Sequence, residues 1–271
     1  MYLTRHSSPT GPRWAVDNNL LPAGVTLSTL LALPHSQLNS LLTELATGEE
    51  AAGPLLAPLD DHQEVWGSGV TYLRSRDARK AESETAADVY QQVYDADRPE
   101  IFFKQVGWRT VGHGQTVRIR ADTTWNVPEP ELCLVINAAA HIVGYTVGND
   151  MSSRDIEGAN PLYLPQAKTY DGSAAVGPGI RLAAAGALTD LAINLEIERN
   201  GAVAFAGETS TSQMKRTFPD LAEYLMREMT FPHGALLMTG TGIVPPDEFT
   251  LQCGDIARIK IDGMTLENTI A

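Results

Sequence analysis

From residue 65 onward the chain is written in short apolar runs separated by glycine and proline, and this punctuation narrows the fold more than any other feature. Residues 101–103, 116–119, 132–136, 141–147, 191–197, 235–238 and 256–261 each span about a strand and no more. Helical spacing is clear only at 85–94 and 221–229, too rarely for alternating βαβ units. The pattern predicts a mainly β (α+β) domain, built as a sandwich or barrel. The first 60 or so residues read differently. Helical spacing recurs at 27–33 and 36–42, and a small, polar stretch at 47–54 then breaks the chain. The expected division is a small N-terminal domain over residues 1–62 and a larger one over 63–271.

The run at 132–136 is preceded by Pro128-Glu129-Pro130-Glu131. Side chains alternate along an extended chain, so Glu129 and Glu131 share a face. On a solvated strand such a pair is ordinary. Here the residues that follow are apolar throughout, so the pair opens a buried strand, where adjacent like charges need a cation between them. The prolines agree, because a strand tolerates a missing N–H at its start. Asp150, in Gly148-Asn149-Asp150, and Lys168 follow closely. An all-oxygen ligand set favours Mg²⁺, Mn²⁺ or Ca²⁺ over zinc. These residues read as the metal site of an enzyme.

Charge excludes other classes. With 33 acidic and 20 basic residues, a net charge of −13 argues against nucleic acid, which needs a basic stripe, and against an anionic membrane surface. No apolar run approaches the ~18 residues of a membrane helix, and the start lacks a signal-peptide pattern. Cys133 and Cys253 lie in apolar runs with no cysteine or histidine at ligand spacing, as in a reducing compartment. The expected location is the cytoplasm. Glycine-rich pieces at Gly67-Ser68-Gly69, Gly177-Pro178-Gly179 and Gly240-Thr241-Gly242 lack the context of a nucleotide loop. The six histidines share no short motif with one another.

Gly144-Tyr145-Thr146-Val147-Gly148-Asn149-Asp150-Met151-Ser152-Ser153-Arg154-Asp155 resembles the G-Y-T-x-x-N-D-x-S-x-R-D signature of the fumarylacetoacetate hydrolase superfamily. Ile101-Phe102-Phe103-Lys104, Glu129-x-Glu131, Lys168, Thr239-Gly240-Thr241 and Thr265-Leu266-Glu267-Asn268 flank it in the family's order. The resemblance covers roughly residues 65–271. It implies a mixed β-sandwich roll, a bound Mg²⁺ or Mn²⁺, a homodimer or homotetramer, and a small substrate with a 2-oxo acid or β-dicarbonyl core. Carried over residue by residue, it implies Glu129, Glu131 and Asp150 as metal ligands and Lys168 facing the substrate. Arg154 and Thr241 match positions that hold the substrate's carboxylate and nearby oxygens. Glu157 stands where many members carry glutamine, and Lys104 adds positive charge near the site or packs its stem. A dication chelated by keto and carboxylate oxygens stabilises an adjacent enolate. Lys168 then reads either as the base, its cationic form disfavoured by metal and arginine, or as a cation paired with the acidic cluster.

Hydrolases of the acylpyruvate type place a histidine three residues after the tyrosine of a G-x-N-Y turn, and a glutamate three residues later. Here Gly69-Val70-Thr71-Tyr72 is followed by Ser75 and Ala78, so the water-activating dyad is missing. Residues 63–72 and 160–170 resemble instead the 2-keto-3-deoxy-pentonate dehydratase branch. The expected activity is metal-dependent dehydration of a 2-dehydro-3-deoxy-pentonate to 2,5-dioxopentanoate, with Lys168 removing the C3 proton. The alternatives are a C–C hydrolase of the acylpyruvate or fumarylacetoacetate type, an oxaloacetate decarboxylase, and a non-catalytic 2-oxo-acid-binding protein.

Overall fold

The apolar runs become strands of two large sheets in the computed structural model, which describes residues 1–82 and 87–271. The larger sheet has ten strands. From Tyr2–His6 to one edge it runs Tyr2–His6, Ala174–Leu182, Ile142–Asp150, Pro130–Ile136, Ala235–Met238, Glu64–Gly69 and Glu100–Val106. The five-stranded sheet runs Ala202–Ser210, Ala192–Arg199, Ile256–Ile261, Met264–Ile270 and Thr116–Val117. The sheets are mixed: Ala235–Met238 pairs parallel with Glu64–Gly69 and antiparallel with Pro130–Ile136. The fold is therefore mainly β, as the punctuation predicts.

The central strand explains the layering. Every residue of Pro130–Ile136 is buried, and its two faces enter different cores. Leu132, Leu134 and Ile136 pack with Ile193, Leu195, Ile259 and Leu266 of the five-stranded sheet and with Leu221 and Leu225 of the helix Phe218–Met226. Cys133 and Val135 pack on the other side, with Leu3, Trp14, Leu30, Leu31, Leu38 and Leu42. A strand covered on both faces must read as a continuous apolar run, and this one does.

Residues 1–62 thus supply a third layer. The strands Tyr2–His6, Arg13–Val16 and Asn19–Leu20 extend the large sheet, while the helices Leu27–Leu31 and His35–Leu45 cover its face. Thr26 starts the first of these helices with a capping box shared with Thr29. The helix expected at 85–94 is observed as Ala87–Asp95; residues 85 and 86 lie outside the described residues. Its partner, the helix Leu73–Glu82, was not foreseen, because a segment so rich in charge carries no apolar stripe to reveal it.

Candidate active site

The antiparallel pairing of Pro130–Ile136 with Ile142–Asp150 builds the site. Glu131 lies opposite Gly148, and the Asp150 N–H donates to the Glu129 carbonyl at 2.9 Å, so Asp150 faces Glu129 across the ladder. Cross-strand partners share a face. Glu129, Glu131 and Asp150 therefore converge, all buried, with one carboxylate oxygen from each lying within 4.8 Å of the others. Burial, together with the charges of Asp150 and Glu129, holds the Glu131 carboxyl well above the ordinary carboxylate range. The Gly240 N–H, delivered by the loop after Ala235–Met238, donates to Glu131 Oε2. Three buried all-oxygen donors, one driven toward its protonated form by the other two, fit a hard dication such as Mg²⁺ or Mn²⁺.

Three buried cations surround the triad. Lys168 ends the short helix Leu164–Lys168, and its Nζ donates to Glu129 Oε2, to Asp150 Oδ2 at 3.0 Å and to Ser152 Oγ at 2.7 Å. Lys104 reaches in from the edge strand Glu100–Val106. Its Nζ lies 2.5 Å from Asp150 Oδ1 and donates to the backbone carbonyls of Met151 (2.9 Å) and Lys168. Burial pushes the Lys104 pKa down, against the pull of Asp150. Arg154 opens the helix Arg154–Ala159 and clamps two carboxylates, donating to Glu129 Oε1 and, at 3.1 Å, to Glu157 Oε2.

A narrow cleft reaches this cluster. Glu129, Glu131, Glu157, Lys168 and Thr241 lie on its wall, as do Ser68, Ser75, Glu100, Phe102 and Leu164. Its free volume is about 20 Å³, room for one water or one ion. Arg154 and Lys104 are absent from the wall: Arg154 braces Glu129 from behind, and Lys104 pins Asp150 to the end of the Lys168 helix. Thr241 is on the wall, and its hydroxyl is already engaged with the Ile243 backbone. Ser75, at the hydrolase histidine position, turns its Oγ into the backbone of Tyr72, donating to the carbonyl at 2.8 Å. The hydrolase histidine position therefore carries a hydroxyl held by its own turn.

Sequence reasoning missed Ser152, which accepts from Lys168 although it lies inside the signature, and the Gly240 N–H. It also missed Glu100. The motif as read began one residue later, at Ile101. Glu100 folds its carboxylate over Gly69, where an added Cβ would meet Oε2 at 2.0 Å, and so enters the cleft. Phe102 lies over Gly67 in the same way, and its ring centroid is 5.5 Å from Lys168 Nζ.

A pleated β-roll with a buried acidic triad at the end of its signature strand defines the class. The chain belongs to the fumarylacetoacetate (FAA) hydrolase C-terminal family, whose model matches residues 64–271. Within that family it is 47% identical over 219 residues to a probable 2-keto-3-deoxyxylonate dehydratase of Haloferax volcanii, covering 78% of this chain and 73% of that one. It is 43% identical over 215 residues to a 2-dehydro-3-deoxy-D-arabinonate dehydratase of Saccharolobus solfataricus, with coverages of 75% and 70%. Its fold matches that of a 2-keto-3-deoxy-D-arabinonate dehydratase complexed with magnesium and 2,5-dioxopentanoate. The TM-score is 0.83 at 32% identity, over 100% of this chain and 98% of the other.

Proposed function

We propose that this protein dehydrates a 2-dehydro-3-deoxy-pentonate to 2,5-dioxopentanoate, with Glu129, Glu131 and Asp150 holding Mg²⁺ or Mn²⁺. The carrying observation is the buried triad beside Lys168, in a cleft whose hydrolase base position is a serine bonded to its own turn. The two dehydratase relatives and the magnesium complex of the third support it. When bound, the dication supplies Lewis-acid stabilisation of charge developing on a 2-oxo group.

The remaining chemistry falls to the chain's own side chains. Lys168 was expected as the base or as a cation paired with the acidic cluster; its Nζ donates to Glu129 Oε2, Asp150 Oδ2 and Ser152 Oγ, which supports the second role, and we propose that one. An ammonium stabilises an oxyanion and takes up no proton. Glu100 presents a carboxyl, a group able to act as a general base, on the same wall of the cleft. We assign removal of the C3 proton to Glu100, and to Lys168 the role of a fixed positive charge beside the triad that favours negative charge on the C2 oxygen through the field, not through a free N–H. The C3–H electron pair forms the C2–C3 double bond as the C2=O pair moves onto oxygen; when that oxyanion re-forms the carbonyl, the C2–C3 pair becomes the C3–C4 double bond, the C4–O bond breaks, and Glu100 returns its proton to the departing hydroxyl as water. The same carboxyl then carries a proton from C5 to C3, and the C4–C5 enol tautomerises to the aldehyde. Arg154 keeps Glu129 oriented, and Thr241 lies within reach of the substrate's carboxylate.

We further place the enzyme in the cytoplasm as a homodimer or homotetramer. Cys133 and Cys253 are both free thiols, as a reducing compartment keeps them. Leu162 and Trp108 are 84% and 61% exposed, apolar surface that a second copy would cover. No described helix is long and apolar enough to cross a membrane.

The test is a Mg²⁺-supplemented assay with 2-dehydro-3-deoxy-pentonates of both C4 configurations, coupled to an NAD(P)⁺-dependent semialdehyde dehydrogenase. The expected result is NAD(P)H formation that EDTA abolishes and Mg²⁺ restores. Silence with both configurations overturns the reading, and release of carboxylic acid from an acylpyruvate would replace it with hydrolysis.

A further inference from the structure

Carboxylates outnumber cations around the cleft, and Glu157 is the one in excess. Three of the four buried carboxylates belong to the triad. Glu157 is the fourth: it is 6% exposed, lies on the cleft wall, and accepts from Arg154 at 3.1 Å. That guanidinium also serves Glu129, so a single positive charge is shared between two carboxylates. Among the described residues Lys168 is the one cation on the wall, and its Nζ already donates to Glu129, Asp150 and Ser152. Glu100, half-buried on the same wall, has the sign of Glu157. With a dication on the triad, the buried cluster keeps one positive charge. A monoanion cancels it, whereas a dianion would leave a negative charge that solvent cannot screen.

We infer that Glu157 is a specificity-determining residue: its charge confines the cleft to acids with an uncharged tail and rejects those that carry a second carboxylate. The inference rests on the proposed reading that the triad holds the head of a 2-oxo acid. Under that reading the discrimination falls at C5. The proposed product, 2,5-dioxopentanoate, carries an aldehyde there, and 2-oxoglutarate has the same five-carbon skeleton with a carboxylate in its place. The two are close in size, so shape separates them poorly. A fixed negative charge separates them without touching the tail, by disfavouring the wrong ligand.

Two like unit charges ~8 Å apart, at an effective dielectric of ~20, weaken binding roughly 30-fold. The experiment is calorimetric titration of the Mg²⁺-loaded full chain with 2-oxopentanoate and with 2-oxoglutarate, acids of equal chain length that differ only at C5. The parent should bind 2-oxopentanoate tighter by roughly 30-fold. Glu157→Gln removes the charge and keeps an oxygen for Arg154, so the two acids should then bind within a few-fold of each other. Glu157→Asp keeps the charge and should keep the preference. Equal affinity for the two acids in the parent overturns the inference. So does a preference that survives Glu157→Gln or disappears in Glu157→Asp. If neither acid binds, the head-group reading falls along with it. If Glu157→Gln lifts the preference while no pentonate is dehydrated, the role of Glu157 stands and the dehydratase reading alone fails.

Discussion

Replacing Gly69 by alanine tests the position of the base without touching it. Gly69 has no positive φ, so its backbone accepts alanine. The new Cβ would lie 2.0 Å from Glu100 Oε2, and carbon atoms of this kind essentially never come closer than 3.0 Å to a neighbour. Glu100 ends a flexible side chain, so it retreats by about 1 Å and the strand stays put. A misplacement of about 1 Å at a reacting group can lower the rate about 100-fold, equivalent to about 2.7 kcal/mol of transition-state stabilisation. Stability moves the other way: alanine in place of a strand glycine adds roughly 0.5–1 kcal/mol, less the small cost of the shifted rotamer. Gly69→Ala should therefore be as stable as the parent or slightly more so, yet lose about two decades of kcat. The coupled dehydration assay, run beside thermal melts and beside Glu100→Gln, measures both. A Gly69→Ala enzyme within twofold of the parent would falsify the assignment of Glu100. Full activity in Glu100→Gln would do so more directly.

Three other outcomes are expected. Because the Glu131 pKa is raised, the stability it contributes to the metal-free protein is complete below its ordinary value of 4.5 and is lost as pH rises through the raised one. Glu131→Gln should flatten that dependence in metal-free melts and weaken Mg²⁺ binding by about tenfold or more in calorimetry; an unaltered pH profile or an unaltered affinity would count against the ligand set. Lys168→Met should reduce turnover by about 100-fold or more while still binding Mg²⁺, and normal turnover would remove the lysine from the oxyanion's stabilisation. Arg154→Ala leaves Glu129 and Glu157 buried without their shared guanidinium, so urea unfolding of the metal-free protein should show a loss of about 3–5 kcal/mol; a loss below about 1 kcal/mol would mean that the clamp carries little.

What the sequence made legible follows from periodicity. The run 132–136 announced a strand buried on both faces, and Glu129-x-Glu131 announced two carboxylates on one of them. Partners set by pairing were harder to read. Asp150 meets Glu129 because Ile142–Asp150 pairs antiparallel in one register, a fact no local pattern carries. Side-chain direction was harder still. That the guanidinium of Arg154, matched by the resemblance to a substrate-holding position, also reaches Glu129 and Glu157 could not be read from the signature. Glu100 escaped notice because its place in the cleft depends on the glycine opposite it, on another strand. The strands Tyr2–His6 and Arg13–Val16 were hidden in a segment read for its helices.

The charges of the cluster argue for an order of binding. Glu129, Glu131, Asp150 and Glu157 face Lys104, Arg154 and Lys168, and all seven residues are at most 6% exposed. Four buried anions against three cations leave one negative charge that solvent cannot screen, which is why the Glu131 carboxyl is pushed toward its neutral form. A proton on Glu131 balances the metal-free cluster. A dication displaces that proton, since a ligand carboxylate must be ionised, and leaves one positive charge in excess. A monoanionic 2-oxo acid then restores neutrality. Substrate arriving first would add an uncompensated anion to the balanced, metal-free cluster, so metal is expected to bind before it, and metal binding to release a proton that a pH indicator in weakly buffered solution would read.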